Sequence, residues 1–141
     1  MITSVCLNPS IDRTVQVKGF AIGATNRISS EQSAGRGKGV NVALAAKNLG
    51  LKTCCTGLLG EDNARLILTP FERLGIRERF VRYDGAVRTN LKIQDEEKRS
   101  ITELNEPGTP VDEKALIAVA ARIEELAKES AYLVLTGSLP P

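Results

Sequence analysis

The sequence predicts an α/β fold: a mostly parallel β-sheet flanked by helices, with a small second β-sheet standing off it. Three observations carry this. Nearly continuous apolar runs at 2–7, 52–59 and 131–136 have the pattern of strands buried on both faces. Helical patterns at 39–49, 61–74 and 109–127 alternate with them, the order of a sheet wound by crossover helices. Alternation of polar and apolar positions at 14–20 and 87–94 reads instead as half-exposed strands.

The first run is stopped by Asn8-Pro9-Ser10, and Asp12 follows at the carboxyl end of that strand, where open α/β sheets contact their ligands. Over 14–20, Val15 and Val17 face one way and Thr14, Gln16 and Lys18 the other; 27–33 reads as a weaker partner strand. These two form half of a small sheet that reads as a lid. Gly35-Arg36-Gly37-Lys38-Gly39-Val40-Asn41 then places three glycines at alternate positions before a helix at 39–49. That helix is apolar nearly all round, so it is expected to be largely buried, with Gly50 as its stop.

A helix start carries N–H groups without intrahelical partners and a partial positive charge, so an anion or a row of hydroxyl oxygens is its natural guest. Lys38 adds a full charge. Neither common phosphate-loop pattern fits: Gly39 follows Lys38 where a Walker loop needs Ser or Thr, and Gln32 stands at its first glycine. Val40 or Val42 falls where the dinucleotide pattern needs a third glycine or alanine. A flexible turn with no ligand is the competing reading; Asn41, an amide inside the glycine-rich helix start, counts against it.

After the strand at 52–59, Glu61 and Asp62 put acid at a helix start, and Leu66, Ile67, Phe71 and Leu74 form a core stripe that Gly75 ends. Pro70 lies inside that pattern and predicts a kink or a break. Residues 76–83 read as a further strand. Over 87–94, Val87, Thr89, Leu91 and Ile93 face one way and Arg88, Asn90, Lys92 and Gln94 the other. Residues 95–98 turn this strand into a partner at 99–105, completing a lid that spans about 12–34 and 86–105. Arg88 lies near its base. Thr109 as N-cap and Pro110 in the first turn open the last helix, with Leu116, Val119, Ala120, Ile123 and Ala127 as its buried stripe.

The chain of 141 residues is one domain's worth, and 19 basic against 17 acidic residues leave a net charge of +2. No basic run is long enough to point to nucleic acid or a membrane surface, so small-molecule chemistry is expected. There is no histidine, which removes the commonest general base and metal ligand together. Cys6, Cys54 and Cys55 are odd in number and two are adjacent, which excludes a disulfide frame and a C-x-x-C metal site. They read as reduced core residues of a cytoplasmic protein. The first residues lack a signal-peptide pattern, and no apolar run reaches membrane-spanning length.

Taken together, Asn8-Pro9-Ser10-Ile11-Asp12, Gly37-Lys38-Gly39-Val40-Asn41, Arg88, Thr102-Glu103-Leu104-Asn105-Glu106-Pro107-Gly108 and Gly137-Ser138-Leu139-Pro140 resemble the ribokinase (PfkB) superfamily of carbohydrate kinases. The resemblance runs over the whole chain. Within the superfamily the 102–108 run is most similar to the 1-phosphofructokinases, with the tagatose-6-phosphate kinases next. The resemblance implies a ribokinase-like fold with a β-sheet lid over the sugar. It also implies transfer of phosphate from ATP, with Mg2+, onto a sugar phosphate, fructose 1-phosphate giving fructose 1,6-bisphosphate, and a homodimer paired through the lids.

It further assigns roles to matching positions. Asp12 would hold sugar hydroxyls, Gly37, Lys38, Gly39 and Asn41 would line the sugar, Arg88 with Lys38 would face the substrate's phosphate, and Ser138 would contact substrate again. Arg27, Glu103 and Asn105 are weaker carry-overs from lid segments. Arg36 stands where the family has a small residue, which brings a further cation to the anion site. The family's catalytic base lies in a Gly-Ala-Gly-Asp motif, and its ATP pocket follows it, both expected beyond Pro141. Residues 1–141 are therefore expected to be the N-terminal part of such a kinase, with no catalytic or metal-binding residue of their own, inactive alone and ending in an open apolar strand edge. A non-catalytic sugar-phosphate-binding module and a truncated piece are the alternatives.

Overall fold

A computed structural model describes all of residues 1–141. It holds two sheets. The first is parallel, in the order β5 (Arg77–Glu78), β4 (Thr53–Gly60), β1 (Ile2–Cys6), β9 (Tyr132–Leu135), with β6 (Val81–Tyr83) also pairing with β4. The second runs β3 (Ile28–Arg36), β2 (Ser10–Val17), β7 (Arg88–Asp95), β8 (Ser100–Asn105), in which β2 and β7 are parallel and the outer pairs antiparallel. Helices α1 (Lys38–Asn48), α2 (Arg65–Leu74) and α3 (Glu113–Ala127) complete the chain. The α/β class and the separate small sheet are as the sequence predicts.

All eight residues of β4 are buried, which explains its unbroken apolar pattern. Cys55 and Leu59 join one cluster with Val40 and Ala43 of α1 and with Ile67 and Phe71 of α2. Cys54 and Leu58 point to the opposite face, and α3 packs on β4 with Val119 and Leu126 buried. Ile11 of β2 and Val87, just before β7, belong to the first cluster. The base of the second sheet is thus rooted in the main core, while its outer half is not.

Several boundaries differ from the sequence reading, each for a packing reason. The second strand starts at Ser10, four residues early, because Ser10 and Ile11 are already buried and paired with Arg88 and Thr89. Asp12 therefore lies inside a strand rather than in a turn. Helix α1 is buried along one stripe, Gly39, Val40, Ala43 and Ala46, while Ala45 is exposed and Leu49 is 79% exposed, so its apolar surround is only half used. Helix α2 runs through Pro70 without a break. The missing N–H costs one hydrogen bond there, and Ile67 and Phe71, each 1% exposed, anchor the helix on both sides of the proline.

The strand expected at 76–83 is two short ones, β5 and β6, both on β4. The N-cap of α3 is Asp112, whose carboxylate accepts from the Ala115 N–H at 2.8 Å, and not Thr109. Its buried positions are Val119 and Leu126; Leu116 is 47% exposed, and Ala120 and Ala127 are exposed as well. Tyr132, Leu135, Leu116 and Ile117 leave the β9 side of the first sheet apolar and open.

The far end of the second sheet is fastened by Asp95, which is 2% exposed. Its Oδ1 accepts from the N–H groups of Gly19, Glu97 and Lys98 at 2.9, 3.0 and 3.2 Å, and its Oδ2 from that of Phe20 at 2.7 Å. Loss of hydration works to raise its pKa, but these amide donors outweigh that and hold the carboxyl below the usual range. A depressed pKa stabilises the fold above the unfolded value, about 3.9, and that contribution is lost as pH falls through the lower folded value. Asp95→Asn is accordingly expected to speed amide hydrogen exchange at Gly19 and Phe20 at pH 7, with exchange elsewhere in the first sheet unchanged. Equal protection in the variant would show that the turn holds without the charge.

Candidate functional site

Strand register builds one polar face on the second sheet. Arg36 of β3 and Arg88 of β7 flank Ser10 of β2 in one row; Ala34 and Asn90 flank Asp12 in the next; Gln32 and Lys92 flank Thr14 in the third. Glu103 and Asn105 of β8 extend the face beyond Lys92 and Asn90. Every second residue of each strand points this way, while Ile11, Val15 and Val17 point to the other side and are buried.

Where the first row meets α1 there is a cavity of about 250 Å³ lined by no hydrophobic residue. Asn8, Ser10 and Asp12 come from β2 and the turn before it, Gly37, Lys38 and Asn41 from the start of α1, Arg36 from β3, Arg88 and Asn90 from β7, and Gly137 and Ser138 from the segment after β9. Asn8 brings the last of these in, its amide donating to the carbonyls of Pro107 at 2.9 Å and Leu139 at 3.0 Å. Three cavities are larger: about 560 Å³ between β6 and the start of α3, about 510 Å³ beside α2, which is mainly apolar, and about 490 Å³ along residues 18–29. The first sets one lysine, Lys114, against three acids, Glu61, Asp84 and Asp112, and the other two contain no carboxylate to accept from hydroxyl groups.

Charge is what sets the small cavity apart. Arg36, Lys38 and Arg88 line it, and none has a carboxylate within 4.0 Å. Its single acid, Asp12, is already paired with Lys92 at 2.9 Å. The Arg88 guanidinium is fixed by Nη1 donating to the Glu106 carbonyl at 2.9 Å and to Asn90 Oδ1 at 3.3 Å, and its buried Nε has no partner. Glu106 is itself held, its carboxylate accepting from the Thr89 N–H at 2.7 Å. Three unpaired cations and a preorganised arginine fork suit an anion with several oxygens, such as a phosphate.

Asp12 presents the complementary chemistry. Oδ1 accepts from Asn90 Nδ2 at 3.1 Å and Ser10 Oγ at 3.2 Å. Partial burial acts to raise its pKa, and hydrogen bonds from Lys92, Asn90 and Ser10 overcome that, so the carboxyl sits below its usual value. It is an ionised acceptor at neutral pH, suited to hydroxyl groups.

The structure brings together Asp12, Gly37, Lys38, Asn41, Arg88 and Ser138, six of the ten residues singled out in the sequence, and adds Arg36. Gly39 is buried under the loop instead. A Cβ there would stand 2.6 Å from both Cys6 Cβ and the Val5 carbonyl oxygen, so this glycine lets α1 approach β1. The N–H groups of Gly39 and Val40 point at the Cys6 sulfur, so the open helix start is partly used by the protein itself. Burial pushes that thiol's pKa up despite those donors, and it is no thiolate at neutral pH.

Glu103 and Asn105 are exposed and lie one strand out from the cavity. Arg27 is not brought to it at all: it precedes Ile28, eight residues along β3 from Arg36, about 26 Å at the usual strand rise. The sequence reading missed Asn90, Lys92 and Ser10. The signal was present, since Arg88, Asn90 and Lys92 fall on one face, but their convergence on Asp12 needs the β2–β7 register.

A family model for pfkB family carbohydrate kinases matches residues 5–141. The chain belongs to the pfkB family of carbohydrate kinases. This pfkB chain is 41% identical to a 1-phosphofructokinase of Rhodobacter capsulatus over 140 residues and 37% identical to one of Vibrio cholerae over 139, in each case 99% of the chain and 44% of the relative. It is 29% identical to a tagatose-6-phosphate kinase of Staphylococcus epidermidis, again over 99% of the chain and 44% of the relative. The chain spans less than half the length of the curated relatives it matches. Its fold is similar to that of a possible 1-phosphofructokinase from Thermotoga maritima, with a TM-score of 0.87 and 30% identity over 100% of the chain and 46% of that protein. Phosphofructokinase-2 from Escherichia coli, solved with fructose 6-phosphate, shares the fold at a TM-score of 0.88 and 23% identity, over 99% of the chain and 46% of that one.

Proposed function

We propose that this chain is the acceptor-binding portion of an ATP-dependent kinase that converts fructose 1-phosphate to fructose 1,6-bisphosphate. The observation that carries the reading is the meeting of Arg36, Lys38 and Arg88, all without a carboxylate partner, with the ionised Asp12 in one small cavity. Arg88 and Lys38 hold the phosphate already on the sugar, Arg36 adds to that field, and Asp12, Asn41 and Ser138 take hydroxyl groups. The 1-phosphofructokinase relatives support this sugar; the tagatose-6-phosphate kinase relative makes tagatose 6-phosphate the second reading.

The second sheet acts as the lid over the sugar, and we place the protein in the cytoplasm, in keeping with its buried free cysteines. No helix is long and apolar enough to cross a membrane. Exposed Ile28, Ile101 and Leu104 on the outer strands favour a homodimer through the lid. The family implies ATP and Mg2+; for the metal this cavity offers no ligand set, since its single carboxylate is engaged by Lys92 and no group of three or more His, Cys, Asp or Glu could hold a metal ion. The nucleotide side and the catalytic base are assigned to segments outside these residues, so phosphoryl transfer is not routed through this chain alone.

The test is calorimetry on the chain itself. Fructose 1-phosphate is expected to bind at least about a hundredfold more tightly than fructose, with affinity falling as salt screens the phosphate contact. Equal affinity for the two sugars would sink the reading, and tighter binding of tagatose 6-phosphate would change the sugar and keep the class. Sedimentation of the same samples reports whether copies pair.

A further inference from the structure

The contact between Lys92 and Asp12 joins two strands across the polar face and lies at the side of the cavity, where a second pocket of about 180 Å³ is lined by Asp12, Thr14, Arg36 and Lys92 among others. An ionised carboxylate has about four lone-pair positions. In this chain three are spoken for: Asn90 and Ser10 on Oδ1, and Lys92 on Oδ2. One remains, on the oxygen that Lys92 holds. We propose that Lys92 is a positioning residue that turns the Asp12 carboxylate so that a single lone pair of Oδ2 is open, and the site takes one sugar hydroxyl at this point. The inference rests on the sugar-phosphate reading above and adds to it a residue outside the expected set.

The surroundings support a held ammonium rather than a passing surface contact. The Lys92 side chain is one-third exposed and that of Asp12 less, at 33% and 18%. The other charges nearby are Glu103 of β8, whose Oε1 is 3.8 Å away and beyond hydrogen-bond range, and Arg36 of β3, which pushes in the opposite sense. The Asp12 hydrogen bond dominates and raises the Lys92 pKa, so the ammonium keeps its charge well above neutral pH. Two of its three N–H donors make no hydrogen bond and are free to meet an oxygen bound beside Asp12.

The experiment compares the chain with Lys92→Met and Lys92→Arg. Carbon-13 NMR of the Asp12 carboxyl, without ligand, is expected to show its titration moving up toward the ordinary carboxylate range in Lys92→Met and staying low in Lys92→Arg. Calorimetry with fructose 1-phosphate is expected to show about a ten- to hundredfold loss in Lys92→Met, recovered for the most part by Lys92→Arg. An Asp12 titration unchanged by Lys92→Met overturns the inference. A wild-type chain that binds no sugar phosphate overturns the functional reading, and with it the hydroxyl assignment; the NMR titration reads the Lys92 contact in either event.

Discussion

Replacing Arg88 by Ala is expected to weaken fructose 1-phosphate binding by about a hundredfold or more, the scale for removing one partner of a preorganised charge pair. Binding of unphosphorylated fructose should be nearly unchanged. The reason is the geometry of the guanidinium: the Glu106 carbonyl and Asn90 fix one side of the fork at 2.9 and 3.3 Å, and no carboxylate neutralises it. A phosphate meets a cation that is already oriented, and little side-chain entropy is lost on binding. Arg88→Lys should recover only part of the affinity, because an ammonium cannot present two parallel donors. Since Arg88 also braces the 105–107 segment, Lys38→Met is the companion variant: Lys38 makes no ion pair within the chain, so its loss reports the ligand alone. Fructose and fructose 1-phosphate losing affinity equally in both variants would remove the phosphate from this end of the cavity.

Phe71→Ala is expected to destabilise the fold by about 3–5 kcal/mol, out of a total of 5–15 kcal/mol for a domain of ordinary stability. Phe71 is 1% exposed, stacks with Phe80 at a centroid distance of 6.3 Å, and sits in the cluster that joins both sheets to α1 and α2. Truncation leaves a cavity at the point where Ile11 and Val87 root the second sheet. The thermal midpoint should fall by roughly 10–20 °C, and the polar face should lose its order along with the first sheet. A midpoint within a few degrees of the parent chain would mean that the cluster closes over the gap.

Much of this protein was legible in its residues because burial imposes periodicity. The nearly continuous apolar run at 52–59 read as a strand covered on both faces, and β4 (Thr53–Gly60) is buried throughout. The strict alternation from Arg88 to Gln94 likewise admitted only a strand with two different faces. Asp12 and the helix start with Gly37, Lys38 and Asn41 stood out by their own chemistry, Arg88 and Ser138 took their roles from the resemblance to the family, and all six line one cavity. Local rules failed where distant packing decided the outcome. Pro70 sits unbroken in α2 because Ile67 and Phe71 anchor it, and Leu116 is exposed because α3 turns Val119 and Leu126 to β4 instead. Gly39 looked like a ligand contact and serves helix–strand approach.

Sequence alone determined the α/β class, the existence of a second sheet and the charged and polar groups on offer, because each depends on residue identity and spacing along one segment. Tertiary structure decided which of those groups meet. Asp12 finds Asn90 and Lys92 only through the parallel register of β2 with β7, and Arg27 is carried away from the cavity by the length of β3. Register is a relation between strands some 78 residues apart for Asp12 and Asn90, set by core contacts of Ile11 and Val87 that no local pattern encodes.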